Sequence, residues 1–102
     1  MHAITRRTIL AFAAEHPDAA DALDRWYRVT KLADWRSLQD VRKVFPSADG
    51  VSVDGGDTMT VFNIGGNKYR LIAYIAYRNG KVYIKQFLTH AEYSKEGWKG
   101  SR

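Results

Sequence analysis

The stretch "THAEYSK", residues 89–95, sets a histidine, a tyrosine and a lysine where a hydrophobic strand hands over to a short helix. Thr89 and Glu92 stand in the T-x-x-E order of a capping box, which predicts a helix beginning near His90. A lone histidine at a helix start is usually structural or solvated, so its company matters. His90 can exchange a proton near neutral pH, Tyr93 can orient or share one, and Arg70 and Lys68 carry charge suited to a developing phosphate anion. Such a set suffices for cleavage of RNA by its own 2′-hydroxyl. The hydroxyl attacks the adjacent phosphorus, a base takes its proton, cations stabilise the crowded phosphorane, and an acid protonates the leaving 5′-oxygen. Neither a metal nor a protein nucleophile is required.

Composition narrows the setting. The 102 residues, 45% of them hydrophobic, suit a single domain spanning 1–102. No apolar run approaches the roughly 18 residues of a membrane span, and the start lacks the apolar core of a signal peptide, so a soluble cytoplasmic protein is expected. With no cysteine, a disulfide framework and a thiolate metal site are both excluded. His2, His16 and His90 show no metal-ligand spacing, and no cofactor or metal is expected. Charge is unevenly spread: residues 1–57 carry eight Lys/Arg against nine Asp/Glu, residues 58–102 eight against two. The net +5 therefore lies wholly in the second part, a field that favours a polyanion.

The elements that must position these groups are legible in outline. The first 45 residues read as helical. "TRRTILAFAAEH" ends at Pro17, Asp18 can cap a second helix with Ala19, Ala22, Leu23, Trp26 and Tyr27 on its core stripe, and a third, shorter helix starts at Asp34 or Ser37 and ends near Phe45 and Pro46. Trp26, Tyr27 and Trp35 read as packing residues, because aromatics at helical spacing belong to cores. From Val51 onward "DGGD", "GGN" and "NG" punctuate short strand-like runs, predicting an antiparallel meander of three or four strands. Gly65 and Gly66 read as turn formers rather than a phosphate cradle, since no helix follows them.

Asn79-Gly80 predicts a two-residue hairpin loop with Arg78 opposite Lys81. In that register Tyr77, Ile75, Leu71, Val82, Ile84 and Leu88 face the helices. The other face carries Arg78, Lys81, Tyr74, Tyr83, Lys85, Phe87 and Arg70, with Thr89 as the cross-strand neighbour of Arg70 and Lys68 one step beyond. Cations interleaved with exposed tyrosines suit single-stranded RNA, whose phosphates need charge and whose unstacked bases need flat surfaces. The expected RNA contacts are thus Lys85, Lys95, Arg78, Lys81, Tyr74 and Tyr83. His90 is expected as general acid or base, Arg70 as the main transition-state stabiliser, Lys68 as its assistant and Tyr93 as an orienting or proton-sharing group. Two alternatives use the same stripe: a non-catalytic RNA-binding module, and a protein-interaction domain for an acidic partner peptide.

The run "VFNIGGNKYRLIAYIAYRNGKVYIKQFLTHAEY" closely resembles the HigB family of toxins from bacterial type II toxin-antitoxin systems, within the wider RelE-like group. "FNIGGNKYRL" at residues 62–71 and "THAEY" at residues 89–93 are the most specific pieces, and "MHAITRRTILAFAAEHPDAADALDRWYR" and "FPSADGV" extend the likeness over nearly the whole chain. The resemblance implies an α+β fold, with an N-terminal helical hairpin on a small antiparallel sheet and a short C-terminal helix. It also implies an endoribonuclease (an mRNA interferase) cleaving mRNA during translation on the ribosome, and a cognate HigA-type antitoxin with a helix-turn-helix domain. Lys68 and Arg70 match the family's basic positions after the glycine turn, and His90 and Tyr93 its C-terminal pair. The chain departs from the pattern at Ser94, where relatives often have an acidic residue, and at Leu88, where many have glycine.

Overall fold

The computed structural model describes residues 1–4, 6–95 and 97–100. Strand β1 (His2–Ile4) leads into helix α1 (Arg6–Glu15), a 3-10 turn (Pro17–Ala19), α2 (Ala20–Leu32) and α3 (Leu38–Val44). Strands β2 (Asp49–Ser52), β3 (Thr58–Ile64), β4 (Tyr69–Ala76) and β5 (Lys81–Thr89) follow, then α4 (His90–Ser94) and a final 3-10 turn (Gly97–Gly100). The α+β arrangement is the expected one: helices first, an antiparallel meander, and a short helix starting at His90. The sheet is larger than anticipated. Its order is β1-β5-β4-β3-β2, with β1 laid parallel along β5, giving five strands. A three-residue strand is too short to show a period in sequence. Among the described residues no helix is long and apolar enough to cross a membrane.

The helices cover one sheet face. Ile9 of α1, Leu23 and Trp26 of α2 and Val41 of α3 close over Phe62, Leu71, Ala73, Ile75 and Val82. Phe62 is the hub, with ring centroids of Trp26 at 5.4 Å, Phe45 at 5.3 Å and Trp35 at 6.3 Å. The tryptophans are thus packing residues, as their spacing indicated. Asp18, however, does not cap α2. The chain turns through Pro17–Ala19, the N-cap is Ala19 with no side-chain bond, and the Asp18 carboxylate instead accepts the Tyr69 hydroxyl at 2.8 Å and meets Lys68 Nζ at 3.6 Å.

The β4–β5 hairpin departs from the derived register in two steps. Its loop has four residues, Tyr77 to Gly80, so Ala76 rather than Arg78 faces Lys81. Asn79 N–H donates to the Ala76 carbonyl and Gly80 N–H to that of Tyr77, a helical turn that Gly80 closes at φ 68°. A slip of two residues leaves the side chains still in the strands on their predicted faces, whereas Tyr77 and Arg78 pass into the loop. Farther along, Ala73 pairs with Ile84 but Ile72 with Gln86, leaving Lys85 as a bulge. That extra residue reverses the faces of everything after it. Phe87 turns to the helices and stacks on Phe12 and Tyr69, while Leu88 moves to the opposite face. Arg70 therefore pairs with Leu88, and Thr89 with Tyr69, correcting the expected Arg70–Thr89 neighbours.

The opposite face is not wholly cationic either. Val53, Met59, Val61 and Ile72 form a second apolar cluster under Trp98, with Leu88, Tyr74 and Tyr93 at its edge. Trp98 stacks on Tyr93 at 5.2 Å and donates through Nε1 to the Tyr93 carbonyl, while Gln86 Nε2 donates to the Trp98 carbonyl.

The capping box forms as its sequence implied. Thr89 Oγ1 accepts from Glu92 N–H at 3.2 Å, and Glu92 Oε1 accepts from Thr89 N–H at 2.9 Å. The Thr89 bonds hold the Glu92 carboxyl below its ordinary range. A carboxyl lowered by folding contributes stability in full above its unfolded value and loses it as pH falls through the folded one. Thr89→Ala is expected to destabilise by about 1 kcal/mol in urea titration. In Glu92→Gln the weakening of stability between neutral and acid pH should flatten; an acid limb equal to the parent's would show that the cap carries none of it.

Candidate active site

The bulge and the cap together deliver His90 to Arg70. His90 opens α4 at the end of β5, and its backbone N–H donates to the Lys68 carbonyl at 2.9 Å, tying the helix start to the turn before β4. Arg70 lies on β4 with only 8% of its surface exposed, so its charge needs partners. It has them. Nη1 donates to the carbonyls of Asn67 at 3.3 Å and Tyr69 at 3.1 Å; Nη2 donates to Asn67 Oδ1 at 2.7 Å and meets His90 Nδ1 at 3.1 Å. The guanidinium also lies 5.6 Å from the centroid of the Tyr93 ring, a cation–π contact backed by the Tyr93–Trp98 stack.

An arginine only donates, so Nδ1 of His90 must be the acceptor, and the proton of the neutral ring then sits on Nε2. The exposed ring thus turns an N–H donor outward beside a buried positive charge. All four terminal N–H directions of Arg70 meet acceptors within the protein. Arg70 holds His90, rather than standing ready as an open fork for a phosphate.

The other candidates divide between this centre and its surroundings. Lys68 contributes its carbonyl here, but its ammonium points to Asp18, where the Tyr69 hydrogen bond first and Lys68 second keep the carboxyl low. Tyr74 and Tyr83 face each other across β4 and β5 with centroids 6.3 Å apart, and the bulged Lys85 places Nζ 5.8 Å from the Tyr83 ring. These three share the sheet face of Arg70. Lys95 is exposed at the C-cap of α4. Lys81 and Arg78 lie at the far end of the hairpin, where Arg78 lines an open hollow of about 640 Å³ with Asp34 and Arg36.

Asn67 and Trp98 escaped notice in sequence. Asn67 reads as a turn residue, and a turn asparagine usually bonds its own backbone; nothing local announces that it accepts from an arginine. Trp98 follows Tyr93 by five residues, a spacing that suggests no shared helix face. Among the described residues no three of histidine, cysteine, aspartate and glutamate converge as a metal site would need.

The class of this small α+β chain, with a histidine held by a buried arginine at the edge of its sheet, is given by its sequence. Residues 19–96 match the HigB toxin family, the RelE-like toxic component of a toxin-antitoxin system, and the chain belongs to that family. It is 35% identical over 95 residues to the mRNA interferase HigB of Escherichia coli O6:H1 (strain CFT073), covering 93% of this chain and 90% of that one. The mRNA interferase toxin HigB of Escherichia coli (strain K12) is 30% identical over 93 residues, covering 91% and 88%, and the mRNA interferase HigB of Shigella flexneri gives the same figures. The matched span contains Arg70, His90, Tyr93 and Asn67.

Proposed function

We propose that this chain is a single toxin domain acting in the cytoplasm as an endoribonuclease, cutting mRNA as the ribosome translates it and restrained by a HigA-type helix-turn-helix antitoxin. The observation that carries this, in a member of the HigB toxin family with mRNA interferases as relatives, is the 3.1 Å contact between Arg70 and His90 beside an open tyrosine and lysine face. The 2′-hydroxyl gives its proton to water as its oxygen attacks phosphorus, the bond to the 5′-oxygen breaks, that oxygen takes a proton back from water, and a cyclic phosphate and a 5′-hydroxyl result. His90 offers its Nε2–H to the phosphate as negative charge grows on the phosphoryl oxygens, with the Arg70 charge one hydrogen bond behind it. Tyr93 orients the pair. Tyr74 and Tyr83 stack bases, and Lys85 and Lys95 contact phosphates. Lys68, held by Asp18, has a smaller part than Arg70.

Purified protein incubated with ribosomes and a translated message, with and without EDTA, tests this directly. Mapped cuts that survive chelation support it; an intact message, or RNA bound stoichiometrically without damage, replaces it with the RNA-binding alternative. Replacing Lys81 or Arg78 by alanine should weaken association and reduce the slope of log affinity against log salt by up to about 1 for each lost phosphate contact, leaving single-turnover cleavage of bound complex intact. Loss of that cleavage would move these residues into the active site.

A further inference from the structure

We propose that Asn67 is a positioning residue of the reaction, acting through Arg70 to hold His90 in the tautomer that presents Nε2–H outward; the inference rests on the ribonuclease function above. Asn67 lies in the exposed turn between β3 and β4, outside both strands. Gly65 and Gly66, at φ 65° and 71°, take the left-handed conformations that fold this turn back toward the start of β4. Asn67 then holds one guanidinium from two directions, its carbonyl accepting from Nη1 and its Oδ1 from Nη2 at 2.7 Å.

The shape of the guanidinium makes this more than a surface bond. Its N–H groups are fixed in a plane, so aiming one hydrogen of Nη2 determines where the other points. Asn67 takes the first, and the second meets His90 Nδ1. Without Oδ1 the shortest of the four bonds is lost, and Nη2 is aimed at Nδ1 only through the longer Nη1 bonds, at 3.3 and 3.1 Å, to the carbonyls of Asn67 and Tyr69. The His90 ring then loses the donor that favours an unprotonated Nδ1. An amide oxygen does this without charge. A carboxylate at the same position would hold the arginine at least as firmly while cancelling its field, which separates geometry from charge.

Nitrogen-15 NMR of labelled histidine in the whole protein reads the tautomer without any RNA, and single-turnover cleavage on translating ribosomes reads the chemistry. In Asn67→Ala the two His90 nitrogens should move toward the averaged shifts of mixed tautomers. Cleavage at saturating ribosome should slow roughly 10- to 100-fold, the scale of a misplaced catalytic group, while the ribosome concentration for half-maximal rate stays near the parent's. Asn67→Asp should restore the parent's tautomer signature. An Asn67→Ala variant unchanged in either readout overturns the proposal, as does an Asn67→Asp variant that shows the mixed tautomer. If the parent itself leaves message intact, the ribonuclease assignment fails, and the NMR comparison still decides whether Asn67 governs His90.

Discussion

Folded His90→Ala is expected to cut message roughly 100- to 10,000-fold more slowly than the parent in single turnover at saturating ribosome, the usual cost of losing a positioned proton carrier or donor, and to lose toxicity in a growth assay. His90 is exposed, so its removal leaves the core intact. What disappears is the outward N–H that the Arg70 contact holds in place. Arg70→Ala should show a loss of similar kind, together with some instability, because Asn67 Oδ1 and the carbonyls of Asn67 and Tyr69 lose their common donor. Tyr93→Phe keeps the ring under the guanidinium and its stack on Trp98, and separates the hydroxyl from the packing. Parent-like cutting and toxicity in both His90→Ala and Arg70→Ala would reduce the "THAEY" stretch to a helix cap.

Phe62→Ala should produce the largest loss of stability, about 3–5 kcal/mol, combining lost transfer energy with the cavity left behind. The ring is 1% exposed and touches Trp26, Trp35 and Phe45, each from a different part of the helical layer. These neighbours are themselves large and mutually packed, so collapse into the space is restricted. Against a total stability of about 5–15 kcal/mol for an ordinary domain, the midpoint of thermal unfolding should fall by on the order of 20 °C. Leu32, 87% exposed at the end of α2, is the contrast: Leu32→Ala should stay within about 0.5 kcal/mol. Chemical and thermal unfolding followed by near-UV circular dichroism measures both, and a Phe62→Ala loss below about 1 kcal/mol would remove Phe62 from the centre of the core.

Much of the fold is legible in the residues themselves. The stripe through Leu23 and Trp26 and the three turn signals depend on local periodicity and backbone preference, and so does the T-x-x-E cap; each forms where the residues indicate. Alternation assigns β4 correctly, with Leu71, Ala73 and Ile75 toward the helices and Arg70 and Tyr74 away. The family likeness carried by "FNIGGNKYRL" and "THAEY" is legible in the same way. Three-dimensional pairing settled the rest. Polarity alternation is blind to a slip of two residues, so the four-residue loop at Asn79-Gly80 could not be told from a two-residue one. The Lys85 bulge follows from how the β4 and β5 backbones pair, and no side chain signals it, yet it decides which face Phe87 and Leu88 occupy and which residue stands opposite Arg70. The pairing of Asp18 with Tyr69 joins residues 51 apart in sequence, and the Arg70–His90 contact joins residues 20 apart. Local preference acts over a turn or a pair of strands, whereas the partner of a buried charge is whichever acceptor the completed sheet brings within reach of its hydrogens.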